Sequence, residues 1–315
     1  MSIPAQLQPG LKLPVIAAPM FLVSGPELVI ACCQQGIIGT FPALNQRSTE
    51  GVAEWLAEIR QSLSALNKPA AAFGVNLIVH KTNPRLEADL DVCIEQRVPL
   101  IITSLGLVSS LIERVHAYGG LVFHDVTTLR HAEKAAAAGV DGLILVCSGA
   151  GGHAGLLNPF AFTAAVRRFF KGTVVLAGCI NSGHEIAAAQ LLGADFAYMG
   201  TRFIATQESR ASDEYKQMIL RAGPGDVTYT PAVSGVPGNF LSESLLHAGI
   251  DPAQPNTTTN IGAELAQLVT KQESTKAWRD VWSAGQGVGG ISDIPTVDEL
   301  VTRLCTECEK LERPE

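Results

Sequence analysis

Short apolar runs and amphipathic segments alternate through the first two thirds of the chain. The runs at 14–20, 36–43, 70–79, 99–106, 120–126, 141–147, 172–179 and 194–201 are nearly continuous in apolar residues. That pattern predicts strands covered on both faces. Between them, 25–35, 49–66, 85–97, 109–119, 128–139, 159–170 and 182–193 carry apolar residues at helical spacing. Several of these helices meet a glycine just before the next strand, as Gly36, Gly139 and Gly193 do, which is the usual left-handed stop. Eight strands alternating with helices over about 200 residues predict an α/β protein of the (β/α)8 barrel class. The rival is a doubly wound open sheet. Against it, the first strand runs into "PMFLVSGPEL", which lacks the GxGxxG turn of dinucleotide-binding sheets.

The alternation fails after residue 205. "RAGPGDVTYTPAVSGVPGNF" and "DPAQPNTTTN" read as loops, and "ELAQLVTKQESTKAWRDVW" and "TVDELVTRLCTECEKLE" as helices. The expected division is a barrel formed by 1–206 and 284–315, with a helical or irregular C-terminal cap inserted at 207–283. The apolar part of that cap could bury a homodimer interface.

Composition narrows the partners. The net charge is −7 with no basic run, which argues against nucleic acid and against an anionic membrane surface. No apolar stretch is long enough to span a bilayer, and the N-terminus lacks a basic, then apolar, leader, so the expected compartment is the cytoplasm. The seven cysteines are scattered. Cys305 and Cys308 have CxxC spacing inside a helical pattern, but one pair cannot close a tetrahedral zinc site. The expectation is reduced, structural cysteine and no metal.

In a barrel the chemistry gathers where strands end. The loop after the sixth strand, "VCSGAGGHAG", has four glycines in ten residues and places His153 among flexible backbone. Glycine-bearing loops also follow strands seven and eight, "AGCINSG" and "MGTRF". In such barrels these two positions often cradle a phosphate through backbone N–H groups. A phosphorylated cofactor or substrate is therefore expected. His124, at the end of strand five, is a second candidate for chemistry. Arg202 could pair with a phosphate or form an ion pair on the barrel rim.

The segments "VIAAPM", "FGVNL", "GAGGHAG", "GADFAYMGTRFIAT" and "WSAGQGVG", in this order and spacing, resemble the nitronate monooxygenase family, formerly 2-nitropropane dioxygenases. The resemblance runs from about residue 14 to residue 290. It implies an FMN-dependent barrel enzyme that oxidises alkyl nitronates with O2 to a carbonyl compound and nitrite. Relatives on the same scaffold reduce quinones or enoyl thioesters with NAD(P)H, so that activity is the alternative. A flavin-free barrel that binds some other phosphate ligand is the third. Carried over by position, His153 is the catalytic histidine. Ala18, Pro19 and Met20 line the flavin, and Asn76 hydrogen-bonds its ring. Beyond the carry-over, His124 is the candidate to polarise the ring's pyrimidine edge, since no lysine stands at a strand end, and Gly151 and Gly152 let the loop curl over the ring. Gly178, Cys179, Gly200 and Thr201 hold the phosphate, and Gly285 and Gln286 close over the cofactor. Three departures stand out. Gly149 replaces a glutamate found in many members, His124-Asp125 replaces a lysine of some reductases, and Cys179 takes the place of a second glycine.

His153 would act either as a general base on a neutral nitroalkane or, protonated, as the partner of a nitronate anion.

Overall fold

The structure, a computed structural model, describes residues 3–251 and 281–312. Eight parallel strands close into a barrel: β1 (Val15–Ala17), β2 (Ile38–Pro42), β3 (Phe73–Ile78), β4 (Leu100–Ser104), β5 (Leu121–Val126), β6 (Gly142–Val146), β8 (Thr173–Ala177) and β9 (Phe196–Met199). Closure is made by β1, whose Ile16 registers with Ile38 on one side and Tyr198 on the other. The (β/α)8 class read from the alternation is the observed one.

The intervening helices are α1 (Pro26–Gln35), α2 (Thr49–Ser64), α3 (Leu86–Glu95), α4 (Ser109–Ala117), α5 (Leu129–Ala137), α6 (Pro159–Arg167) and α7 (Gly183–Leu191). Their ends follow local chemistry. Ser48, Thr128, Asn158 and Ser182 cap the N-termini of α2, α5, α6 and α7 through their side chains. Gly36, Gly119, Gly139 and Gly193 turn the chain at positive φ just beyond α1, α4, α5 and α7.

The first strand is shorter than the apolar run that predicts it. Pro19 has no N–H for a ladder bond, so the chain leaves the barrel after Ala18 donates its own N–H to Met199. Residues 19 and 20 become the start of a loop at the barrel mouth.

Strand alternation sorts the barrel residues into two sets. Ile16, Ile38, Leu100, Ile102, Leu121, Phe123, Ile144, Val175 and Phe196 fill the barrel interior. Val15, Ala17, Val75, Leu77, Ile101, Val122, Leu143, Leu145, Val174 and Leu176 face the helices. Gly142 leaves room for the Phe123 ring, since a Cβ there would lie 2.4 Å from Phe123 Cδ1.

Beyond β9 the chain forms α8 (Thr201–Ile204) and α9 (Asp213–Arg221). Then β10 (Val227–Thr230) and β11 (Gly238–Leu241) pair antiparallel, followed by α10 (Ser242–His247). The aperiodic segment that reads as loop therefore holds a hairpin. The hairpin adds a third strand, β7 (Gly152–His153), taken from the glycine-rich loop itself. The helix expected over "ELAQLVTKQESTKAWRDVW" lies almost entirely outside the described residues. The last helix, α11 (Val297–Glu312), packs against α7 and α1 and fills the eighth place in the helical ring. Its Glu307 accepts from the Gly183 N–H at 2.6 Å, and Cys308 Sγ donates to the Gly183 carbonyl at 3.5 Å. Among the described residues, no helix is long and apolar enough to cross a membrane.

Replacing Gly142 by valine overpacks the interior against Phe123. It should destabilise the protein by about 1–3 kcal/mol in thermal unfolding. Adding Phe123→Leu should recover part of that loss. A double variant no more stable than Gly142→Val alone would show that the two sites do not share this space.

Candidate active site

A cavity of about 300 Å³ opens at the C-terminal end of the barrel. Small-molecule sites begin at about that size. Its walls come from every strand-end loop the sequence singles out. Ala18, Pro19 and Met20 follow β1, and Asn76 stands on β3. Gly151, Gly152 and His153 follow β6, Gly178 and Cys179 follow β8, and Gly200 and Thr201 follow β9. Gly285 reaches in from the far C-terminal segment.

Two expected residues are elsewhere. His124 has the opposite parity to Leu121 and Phe123, so its ring turns outward. There its Nδ1 lies 2.7 Å from Thr103 Oγ1, and it is not part of the cavity wall. The neighbouring Asp125 takes the inward place instead. Gln286 also misses the wall. Its backbone N–H donates to the Gly149 carbonyl at 2.9 Å, so it braces the loop from behind.

The glycines of the β6 loop serve packing more than they serve flexibility. A Cβ on Gly151 would sit 2.8 Å from the Gly285 nitrogen, and one on Gly155 would sit 2.8 Å from the Thr127 and Val146 carbonyl oxygens. A Cβ on Gly149 would meet Cys179 Sγ at 2.6 Å. Three loops thus touch backbone to backbone, and no side chain fits between them.

The loop after β8 carries Gly178 at φ 127° and Cys179 at φ 58°. The backbone N–H groups of Gly178, Cys179 and Gly200 meet no main-chain acceptor among the described residues. Thr201 Oγ1 accepts from the Gly285 N–H at 2.9 Å, which leaves its O–H to donate. Together they form a cradle of donors. Arg202 does not join it. Its guanidinium is buried on Asp293 Oδ1 at 3.0 Å and the Ala205 carbonyl at 2.7 Å, which makes it a rim ion pair.

His153 is held by its strand. It registers with Gly238 across β7 and β11, and its Nε2 lies 3.0 Å from Ser234 Oγ. Burial pushes its pKa down to about 4. The protonated form considered from the sequence is therefore not populated near neutrality. The Ser234 hydroxyl can donate to His153 Nε2 or to the Val236 carbonyl, 3.2 Å away. The hydroxyl can thus pair with Nε2 whichever tautomer the neutral ring adopts.

Sequence reasoning gave no site role to Asp125, Tyr198, Asn181, Tyr215 or Trp282, all on the cavity wall. Tyr215 and Trp282 stack with ring centroids 5.0 Å apart, and they give the cap side of the cavity an aromatic face. Asp125 and Tyr198 could be found by strand parity, once it is known which face of each strand is inward.

Comparison with known proteins places this arrangement. Residues 86–307 match the family model for nitronate monooxygenase. The chain belongs to the nitronate monooxygenase family. A nitronate monooxygenase of Paraburkholderia phytofirmans is 27% identical over 96% of this chain and 93% of its own. A Rhodococcus jostii protein, (3aS,4S,5R,7aS)-5-hydroxy-7a-methyl-1-oxo-octahydro-1H-indene-4-carboxyl-CoA dehydrogenase, is 27% identical over 96% and 94%. The solved nitroalkane oxidase of Streptomyces ansochromogenes superposes with a TM-score of 0.80 at 25% identity, covering 96% of this chain and 97% of that one. As a member of the nitronate monooxygenase family, the chain is a flavin-dependent oxidoreductase, and the barrel-mouth cavity is its candidate active site.

The two poorly solvated imidazoles, buried His124 and part-buried His153, give the protein an acid-sensitive window. His124 and His153 both have pKa values lowered to about 4, in each case chiefly by burial. Between pH about 6.5 and 4 the unfolded chain takes up protons at both rings that the folded chain refuses, so stability falls as pH falls. Asp125, raised by burial to about 6, works the other way and loses stability as pH rises through about 4 to 6. His124→Gln should therefore flatten the fall in urea midpoint between pH 6.5 and 4.5. An unchanged slope would mean that this ring is solvated in solution.

Proposed function

We propose that this protein is an FMN-dependent nitronate monooxygenase, taking a small alkyl nitronate and O2 to a carbonyl compound and nitrite. The observation that carries the reading is one cavity holding both a neutral histidine and a cradle of backbone N–H and hydroxyl donors. The residues suit a flavin mononucleotide. The N–H groups of Gly178, Cys179 and Gly200 and the Thr201 hydroxyl would hold a single phosphate dianion. Gly285 would fasten that cradle to the cap through Thr201. Ala18, Pro19, Met20, Val146 and Ala177 offer a largely apolar wall for a ring system, with the Asn76 amide on its polar side. Bound there, the flavin would supply the electron transfer with oxygen that no side chain offers.

The side chains then have limited tasks. His153, neutral and held by Ser234, would stand beside the nitronate without carrying charge. A ring whose conjugate acid has a pKa of about 4 is a poor base for a carbon acid. This favours the nitronate, which has already lost its α-proton, over the neutral nitroalkane. Tyr215 and Trp282 would cover the alkyl end and exclude water.

Anaerobic rapid mixing of the flavin-loaded protein with propyl-2-nitronate, and separately with NADH, tests the reading. Flavin reduction by nitronate and not by NADH is the expected result. Fast bleaching by NADH with no response to nitronate would move the protein to the quinone or enoyl-thioester reductases.

His153→Gln should keep its flavin and lose nitronate turnover about tenfold to a hundredfold, the worth of one buried hydrogen bond. Unchanged turnover would remove His153 from the chemistry. Cys179 already sits in the left-handed region, so Cys179→Gly should retain FMN. A branched Cys179→Val should release it, because β-branched residues resist positive φ. Flavin content after gel filtration measures both.

A further inference from the structure

The floor of the cavity is polar where the rest of the barrel interior is apolar. Asn76, Ser104, Asp125 and Tyr198 all have inward parity near the ends of β3, β4, β5 and β9. Three of them are linked. Asn76 Nδ2 donates to Ser104 Oγ at 2.7 Å, and Ser104 Oγ donates to Asp125 Oδ2 at 2.6 Å. The links stop there. Asp125 Oδ1 and the Tyr198 hydroxyl are buried, and neither has a hydrogen-bond partner among the described residues. Buried polar atoms are seldom left unpaired, and a carboxylate oxygen least of all. Both residues line the cavity.

The surroundings leave this carboxyl uncompensated. The neighbours on β4, β6, β8 and β9 are Ser104, Val146, Ala177 and Tyr198, and β3 contributes Asn76. His124, adjacent on β5, faces the helices and is bonded to Thr103. His153 stands in the β6 loop and is neutral above about pH 4. No lysine or arginine is among the described residues that line the cavity.

We propose that Asp125 and Tyr198 contact the bound flavin and set its electron affinity. Tyr198 donates a hydrogen bond to the ring system. Asp125 places beside it a negative charge when ionised and a hydrogen-bond donor when protonated. Asn76 and Ser104 are positioning residues that fix the carboxyl. The inference rests on the flavin reading of the cavity.

Burial raises the Asp125 carboxyl to about 6, with the Ser104 hydrogen bond pulling the other way. Burial also raises the Tyr198 phenol well above its usual range, and the Asp125 charge adds to that. Cys179 is raised by burial as well and stays a thiol. Among these groups only Asp125 changes charge between pH 5 and 8. Reduction adds negative charge to an isoalloxazine, so an ionised Asp125 opposes it and a protonated one does not.

The test is spectroelectrochemical titration of FMN-loaded wild type, Asp125→Asn and Ser104→Ala at pH 5 to 8. It is joined by FMN affinity of Tyr198→Phe from fluorescence quenching. At pH 8, Asp125→Asn should favour reduced over oxidised FMN about tenfold more than wild type does. At pH 5 the two proteins should agree. Ser104→Ala removes a bond that favours the charged carboxyl, so the pH at which the wild-type preference changes should move upward. This second variant keeps the test decisive if Asp125→Asn folds poorly. Tyr198→Phe should bind FMN about threefold to tenfold more weakly at both pH values. Coincidence of Asp125→Asn with wild type at pH 8, or an unmoved transition in Ser104→Ala, would overturn the proposal and leave the flavin reading standing. A wild-type protein that takes up no FMN would end both.

Discussion

Barrel closure is the constraint on which the rest of this structure depends. Once β1 pairs with both β2 and β9, every strand has a fixed inward and outward face. Inward residues low in the barrel must fill a space with no exit, and Ile16, Leu100, Phe123 and Phe196 do so. Inward residues at the open end meet the cavity instead. Ala18, Asn76, Asp125, Ala177 and Tyr198 line it by the same parity that buries Phe123. The candidate site is thus the uppermost part of the core, where side chains face a cavity rather than one another.

A second layer of organisation comes from backbone contact. The loops after β6 and β8 and the segment 284–287 approach so closely that a Cβ at Gly149, Gly151, Gly285 or Gly287 would collide. The donor cradle and His153 therefore belong to one packed unit. The hairpin of β10 and β11 holds the other side of the β6 loop through Gly238 and Asn239, whose side chain also donates to the Ala150 carbonyl at 2.7 Å. Chemistry placed on a loop gains the rigidity of a sheet. The same packing buries His153 and makes it a neutral group.

Strand–helix alternation was legible because period and capping are local. Runs buried on two faces, helices capped by Ser48, Thr128 and Ser182, and glycine stops at Gly36 and Gly193 all depend on neighbours within a few positions. The donor loops were legible for a related reason, since glycine clusters at strand ends mark backbone that must come close to something. The hairpin was not. Val227–Thr230 and Gly238–Leu241 are short, lie between proline and glycine, and gain strand character only by pairing with each other and, through Gly238 and Asn239, with β7.

By itself, then, the sequence determined the barrel class, the strand ends that line the cavity, and the place of His153 among them. These follow from periodicity, and in the last case from motif resemblance. Only the tertiary structure decided which of His124 and Asp125 enters the cavity. Both faces of a barrel strand are buried, so hydrophobic pattern cannot tell inside from outside, and one residue of parity separates a site group from a structural one. It also decided that Arg202 pairs with Asp293 and that His153 is uncharged near neutrality. Both outcomes depend on burial and on partners far away in the chain.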